Sequence, residues 1–159
     1  MKPESKIVCV GVGGEGIRFL NFRIAGKIVS GAIMEDRYIA VDTDAATLMC
    51  AWAPTRVQIG WPGLLGLGTG GDMEAGRRAA EESRELLLAL FKKAKTEAAK
   101  EIRLFAGLHG GTALGVTPVV YACSKSAGIR TRLFVVVGAA EEPIEKDIGD
   151  IGYGGEPCE

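Results

Sequence analysis

"KIVCVGVGGEGIRFLNFRIAGKIVS" occupies residues 6–30, and its reading decides the fold. Lys6 to Val10 is a short, mostly apolar run closed by Gly11, the pattern of a buried strand. Gly11, Gly13, Gly14 and Gly16 follow as a tight turn. Residues 17–30 then place Ile17, Leu20, Ile24 and Ile28 on one helical face. Strand, glycine turn and helix form the first half of a βαβ unit.

The same alternation continues outward. "RYIAV" (37–41) reads as a second strand, and "DTDAATLMCAWA" (42–53) as a short helix opened by capping residues. "RVQIG" (56–60) is a third strand. "GLLGLGTGGDMEAG" (63–76) is a long glycine-rich loop, a length that in a compact domain is usually functional. Residues 75–100 are rich in Ala, Leu, Glu and Lys and predict one long helix with Leu86, Leu87, Leu90 and Phe91 as its apolar stripe. "IRLFA" (102–106) is strand four. A helix follows over "ALGVTPVVYACSKSA" (113–127), where Pro118 is tolerable only near the start. "RLFVVV" (132–137) is strand five. The prediction is an α/β fold with a Rossmann-like parallel sheet of about five strands and helices on both faces. Residues 1–5 read as an N-terminal tail, 6–137 as one nucleotide-binding domain, and 138–159 as a tail of uncertain structure.

Composition narrows the function. The chain has 159 residues, a formal net charge of −1, 25% charged residues and no long single-sign run. That balance argues against nucleic acid or an anionic membrane as partner. Cys9, Cys50, Cys123 and Cys158 form no C-x-x-C pair and read as small apolar residues in a reducing compartment. A single histidine excludes a His-based metal site. With neither a signal core nor a long apolar run, the expected location is the cytoplasm.

The three glycine clusters follow strands one, three and four, at the carboxyl ends where α/β sheets bind ligands. Glycine permits positive φ and leaves backbone N–H groups open to an anion, and a following helix adds the positive end of its dipole. "GVGGEG" formally matches G-x-G-x-x-G, so a dinucleotide site with Asp42 on a ribose is one reading. Asp42 stands 26 residues beyond Gly16, far for that arrangement. One pyrophosphate needs one such loop, whereas a triphosphate has use for all three.

"KIVCVGVGGEG", "YIAVDTDAATL", "VQIG", "GLGTGGDMEAGRRAAEESRE" and "AGLHGGTALGVTPVV" occur in this order. Together they resemble the amino-terminal part of FtsZ, the bacterial tubulin-like cell-division GTPase family. Residues 66–85 are the most specific part. The resemblance covers about residues 6–137 and less than half of a typical family member.

The resemblance implies GTP or GDP as ligand, with Mg2+ bridging phosphate oxygens. It implies that Gly13, Gly14 and Gly16 lie by the phosphates, with Glu15 placing a carboxylate in the same loop. Asp42, Thr43 and Asp44 match the loop after strand two, Asp44 being the residue near the metal. Gly68, Thr69, Gly70 and Gly71 match the loop that senses the terminal phosphate. Gly110, Gly111 and Thr112 match the signature loop, and Asn21 matches a family asparagine on the first helix.

Departures accompany the match. The family signature GGGTGTG is here "HGGTALG", with His109, Ala113 and Leu114 substituted. At His109 a positive φ would cost about 1 kcal/mol. Ala113 is harmless if it already lies in the helix, and Leu114 loses a hydroxyl. Ile17 and Arg18 replace a pair of asparagines, and Arg18 retains the option of pairing with phosphate. The family's ribose segment after strand five, its guanine-reading residues and its water-activating domain are not reproduced. The expectation is weak GTP or GDP binding, little hydrolysis by the chain alone, and capping of a complete relative's filaments or self-association. The alternatives are a degenerate protein-binding module without nucleotide and an NAD-type enzyme.

Overall fold

The computed structural model describes residues 6–31, 37–137 and 144–146. The chain runs β1 (Lys6–Val12), α1 (Gly13–Ser30), β2 (Arg37–Asp42), α2 (Ala45–Met49) and β3 (Thr55–Gln58). It continues through α3 (Met73–Glu82), α4 (Arg84–Thr96), β4 (Ala99–Gly107), α5 (Gly111–Ser126), β5 (Arg130–Val136) and β6 (Ile144–Lys146).

The strands form one sheet in the order β3-β2-β1-β4-β5-β6. The first five are parallel, as the alternation of strand and helix predicts, and the crossover from β3 to β4 reverses the winding beside β1. Register aligns the carboxyl ends at one rim. Val12 pairs with Val41 and Ala106, Asp42 with Gln58, and Gly107 with Val136.

Two-residue periodicity splits the strands between two cores. Val8, Val10, Val12, Ile102, Leu104 and Ala106 face α3, α4 and α5, where they pack with Leu87, Phe91, Val116 and Val120. Cys9, Tyr38, Ala40 and Phe105 face the other way, onto Ile17, Leu20 and Ile24 of α1 and Leu48 of α2. The result is three layers with helices on both faces. Phe105 is the hub of the second core, its ring 4.9 Å from that of Phe19 and 5.3 Å from that of Phe134.

Several elements differ from the sequence reading. The helix expected over 75–100 is two helices meeting at Ser83 (φ −97°, ψ 9°), and β4 begins at Ala99. Ala98 reverses the chain there with φ +67°. Helix α5 starts at Gly111, so Pro118 lies inside it rather than near its start. The missing N–H leaves the Leu114 carbonyl without its usual donor. Within the stretch read as a tail, residues 144–146 pair antiparallel with β5, and Arg132 Nε donates to Glu145 Oε1 at 2.8 Å.

Among the described residues no helix is long and apolar enough to cross a membrane. Cys158 and the remainder of 138–159 outside β6 lie beyond the described residues.

Candidate functional site

Four connections meet at the carboxyl rim: β1–α1, β2–α2, β3–α3 and β4–α5. Gly13 (φ +73°) turns the chain straight from β1 into α1, and a Cβ there would sit 3.4 Å from Ala113 of α5. Thr43 Oγ1 and Thr112 Oγ1 share a hydrogen bond of 2.7 Å between the second and fourth connections. Ala45 N donates to Gly66 O at 2.9 Å and Gly68 N to Thr43 O at 3.3 Å, which ties the second connection to the third. A Cβ on Gly111 would overlap the Asp72 carbonyl and Thr69 Oγ1, so the third and fourth connections touch.

Close approach of α3 to α5 places these loops. Cβ atoms on Gly76 and Gly115 would overlap the carbonyls of Gly111 and Met73 respectively. Gly16 does the same for α1, its Cα resting on the Phe105 carbonyl. Gly16 therefore faces the sheet and acts in packing. Gly14, Gly70, Gly71 and Gly110 have open space where a Cβ would stand, and all but Gly14 have positive φ.

The helix ends at the rim differ in kind. α2 is capped by Asp44, whose Oδ1 accepts from Ala46 N at 2.9 Å. α3 is capped by Asp72, whose Oδ1 accepts from Glu74 N and Ala75 N. α1 and α5 start at Val12 and Gly110 with no side-chain cap. Their first-turn N–H groups are thus unclaimed by side chains, at the positive ends of helices 18 and 16 residues long.

Asp42 braces this arrangement from beneath. It is 3% exposed, and its Oδ1 accepts from Thr43 N at 2.7 Å and Asp44 N at 3.1 Å. Burial raises its pKa above the ordinary carboxylate value, against the lowering effect of those two N–H bonds. Asp44 Oδ2 also accepts from Thr47 Oγ1 at 3.2 Å, so both carboxylate oxygens hold the start of α2 and keep only spare lone pairs for a cation. Among the described residues no group of three or more acidic, His or Cys side chains gathers to hold a metal. A magnesium ion fits only where phosphate oxygens and water supply most of its ligands.

The substituted positions find simple places. His109 is exposed and is absent from the positive-φ residues; Gly110 takes that conformation instead, at φ +90° and ψ 144°. The strain considered for His109 therefore does not arise. Ala113 lies in the first turn of α5 and is buried against Gly13. Ile17 is a core residue, and Arg18 is exposed on α1.

Asn21 follows further along α1. Its Nδ2 donates to Cys50 O at 3.0 Å and its Oδ1 accepts from Trp52 N at 2.8 Å, pinning α1 to the segment after α2. Asp72 stands at the rim as well, as the cap of α3, and is not among the residues that the resemblance assigns to the ligand. An Asp two residues before Glu74 at a helix start was a usable capping signal for Asp72. Gly107 opens the glycine cluster after strand four, but no sequence signal pairs it with Glu15, whose side chain lies across it.

Fold and rim together define a doubly wound α/β domain whose glycine-rich connections converge at the carboxyl edge of the sheet. The sequence model of the Tubulin/FtsZ family, GTPase domain, matches residues 6–147, and the chain belongs to that family. An FtsZ dimer structure from M. jannaschii superposes with a TM-score of 0.71 at 31% identity, over 85% of this chain and 36% of that one. The GTPγS-bound protofilament of CetZ2 from Haloferax volcanii gives 0.69 at 27% identity, over 82% and 39%. The GDP-bound CetZ1 monomer from the same organism shares the fold, with a TM-score of 0.73 at 23% identity over 86% and 43%. The chain thus spans about two fifths of the solved structures it matches.

Proposed function

We propose that the carboxyl rim binds the phosphates of a guanine nucleotide, GTP or GDP, together with Mg2+. The observation that carries this reading is the contrast between capped and uncapped helix ends. Asp44 and Asp72 satisfy α2 and α3, while α1 and α5 leave their first N–H groups to an outside acceptor. Gly14, Gly70, Gly71 and Gly110 keep side chains out of the adjoining space. A phosphate chain supplies the missing negative charge and acceptors. Thr112 adds a hydroxyl beside Gly110 and Gly111, and Asp44 is the residue nearest in chemistry to a magnesium ligand.

Binding is weak and poorly selective between purines, because the contacts in hand are to phosphate and none is assigned to the base. Hydrolysis by this chain alone is slight. In the cytoplasm its role is tied to cell division, through self-association or by capping filaments of a complete relative. Membership of a family with protofilament-forming structures supports that part. The dinucleotide reading draws no support from Asp42, whose buried carboxylate holds its own loop. A protein-binding module without nucleotide gains from one feature, the carboxylate of Glu15 beside the rim.

Calorimetric titration with GTP, ATP and inorganic triphosphate, with and without Mg2+, tests the reading. Heats from all three, with GTP and ATP of similar affinity, support it. A silent titration with all three favours the protein-binding module, and strong preference for GTP shows a base site that the proposal lacks.

A further inference from the structure

A cavity of about 260 Å3 opens between α3 and the chain that leads out of β3, the edge strand of the sheet. Leu64 of that connection and Ala75 and Ala79 of α3 line it, with the exposed Arg78 and Glu82 beside them. Contact fixes the walls, since a Cβ on Gly60 would sit 2.9 Å from both Ala79 Cβ and Leu64 Cδ1. Small-molecule sites usually enclose about 300–1,000 Å3, whereas this space suits one large apolar side chain of a protein.

The charges at the cavity are unmatched. Along α3, Arg77 pairs with Glu74 at 3.9 Å and Glu81 with Arg84 at 2.7 Å. Among the described residues, Arg78 and Glu82 form no ion pair with each other or with a neighbour. Four residues apart, they share one face of the helix. A two-fold axis at the level of Ala80, halfway between them, would set α3 antiparallel to the α3 of a second copy. Arg78 then faces Glu82 of the second copy and Glu82 faces its Arg78, so the contact is made twice. The loop beside the cavity adds an apolar part, with Trp61 66% and Leu65 61% exposed. A hollow, apolar side chains able to fill one, and both signs of charge make this surface complementary to itself.

We propose that the exposed face of α3, with the cavity beside it, is a self-association surface on which a second copy of this chain docks through reciprocal Arg78–Glu82 pairs. The apolar groups supply the affinity, since exposed ion pairs contribute little, and the charges fix the antiparallel register. None of these residues belongs to the phosphate-binding loops proposed above, and the contact needs no nucleotide.

Sedimentation equilibrium without nucleotide compares the native chain, Arg78→Glu, Glu82→Arg, the double exchange Arg78→Glu/Glu82→Arg, and an equal mixture of the two single variants. Circular dichroism confirms that each is folded. The native chain should show a monomer–dimer equilibrium. Each single exchange sets like charges opposite each other twice and should raise the dimer Kd by about tenfold or more. The double exchange should return it to near the native value. The mixture should form heterodimers at least as readily as the native chain dimerises, which no loss of folding could imitate. A native chain that stays monomeric overturns the inference, as do single variants that dimerise like the native chain or a mixture that stays monomeric. Triphosphate titration of the same proteins reports on the phosphate reading separately.

Discussion

Thr43 Oγ1 and Thr112 Oγ1 lie 2.7 Å apart, both residues buried and 69 positions apart in sequence. The pair joins the exit of β2 to the first turn of α5, so two of the rim loops share one polar contact in a dry place. Removing one partner strands the other. Thr112→Val should cost about 1–3 kcal/mol of stability, since the lone hydroxyl of Thr43 is then buried with only a long, 3.5 Å bond to Asp42. The double substitution Thr43→Val/Thr112→Val should cost less than the two single changes summed. Urea denaturation of the four proteins measures the coupling, and strict additivity would show that the contact contributes nothing.

The approach of α3 to α5 is set by glycine rather than by large side chains. A methyl at Gly76 would overlap the Gly111 carbonyl, which begins α5 at the rim. Gly76→Ala should therefore destabilise by about 1–3 kcal/mol despite alanine's higher helix propensity, and should weaken triphosphate binding at the same time. Thermal melting and calorimetry report the two effects. A Gly76→Ala protein with unchanged Tm would mean that α3 shifts freely and does not position the loop.

The general fold was legible because the signals were local. Val8 and Val10 flank Cys9 in a short apolar run followed by glycines, although the strand expected to close at Gly11 runs on to Val12 and the helix starts at Gly13. The glycine clusters marked the rim, since glycine takes positive φ without a steric cost, as at Gly68, Gly70, Gly71 and Gly110. What escaped was tertiary. Ser83 lies in a run of strong helix formers, and the break there follows from seating α3 on α5 while Leu87 and Phe91 of α4 reach the core. β6 is three residues long and is held by its pairing with β5, which local pattern cannot announce. The bridge from the Asn21 amide to Cys50 and Trp52 is likewise invisible in the local pattern. The crossing of Glu15 over Gly107 joins two loops that sequence reading treats separately.

Asp42 gives a pH signature. Its folded pKa is raised, chiefly by burial, so the folded chain binds the proton more tightly than the unfolded chain does. Its contribution is most favourable below the ordinary aspartate pKa and is lost as pH rises through the raised folded value. Asp42→Asn keeps an acceptor for the N–H groups of Thr43 and Asp44 without the buried charge. Relative to the native chain, the variant should gain stability as pH rises above the ordinary aspartate pKa of about 4. Denaturation midpoints of both proteins across that range decide it; parallel curves would mean that the aspartate titrates alike in the folded and unfolded chains.

Gly14 separates the fold from the site. It is the second residue of α1, its φ is not positive, and a methyl there meets nothing within 4 Å. Gly26, further along the same helix, has the same freedom and lies away from the rim. In both places alanine removes backbone entropy from the unfolded chain, so each substitution should stabilise by about 0.5–1 kcal/mol. Only Gly14→Ala adds a methyl to the start of α1, where the proposed phosphate rests against backbone N–H groups. Gly14→Ala should weaken triphosphate binding by about tenfold, a loss comparable to one charge-assisted hydrogen bond, while Gly26→Ala binds as the native chain does. Melting curves and calorimetry on both variants read the two quantities independently. A Gly14→Ala protein that is stabilised yet binds triphosphate unchanged would place the anion elsewhere than at the first turn of α1.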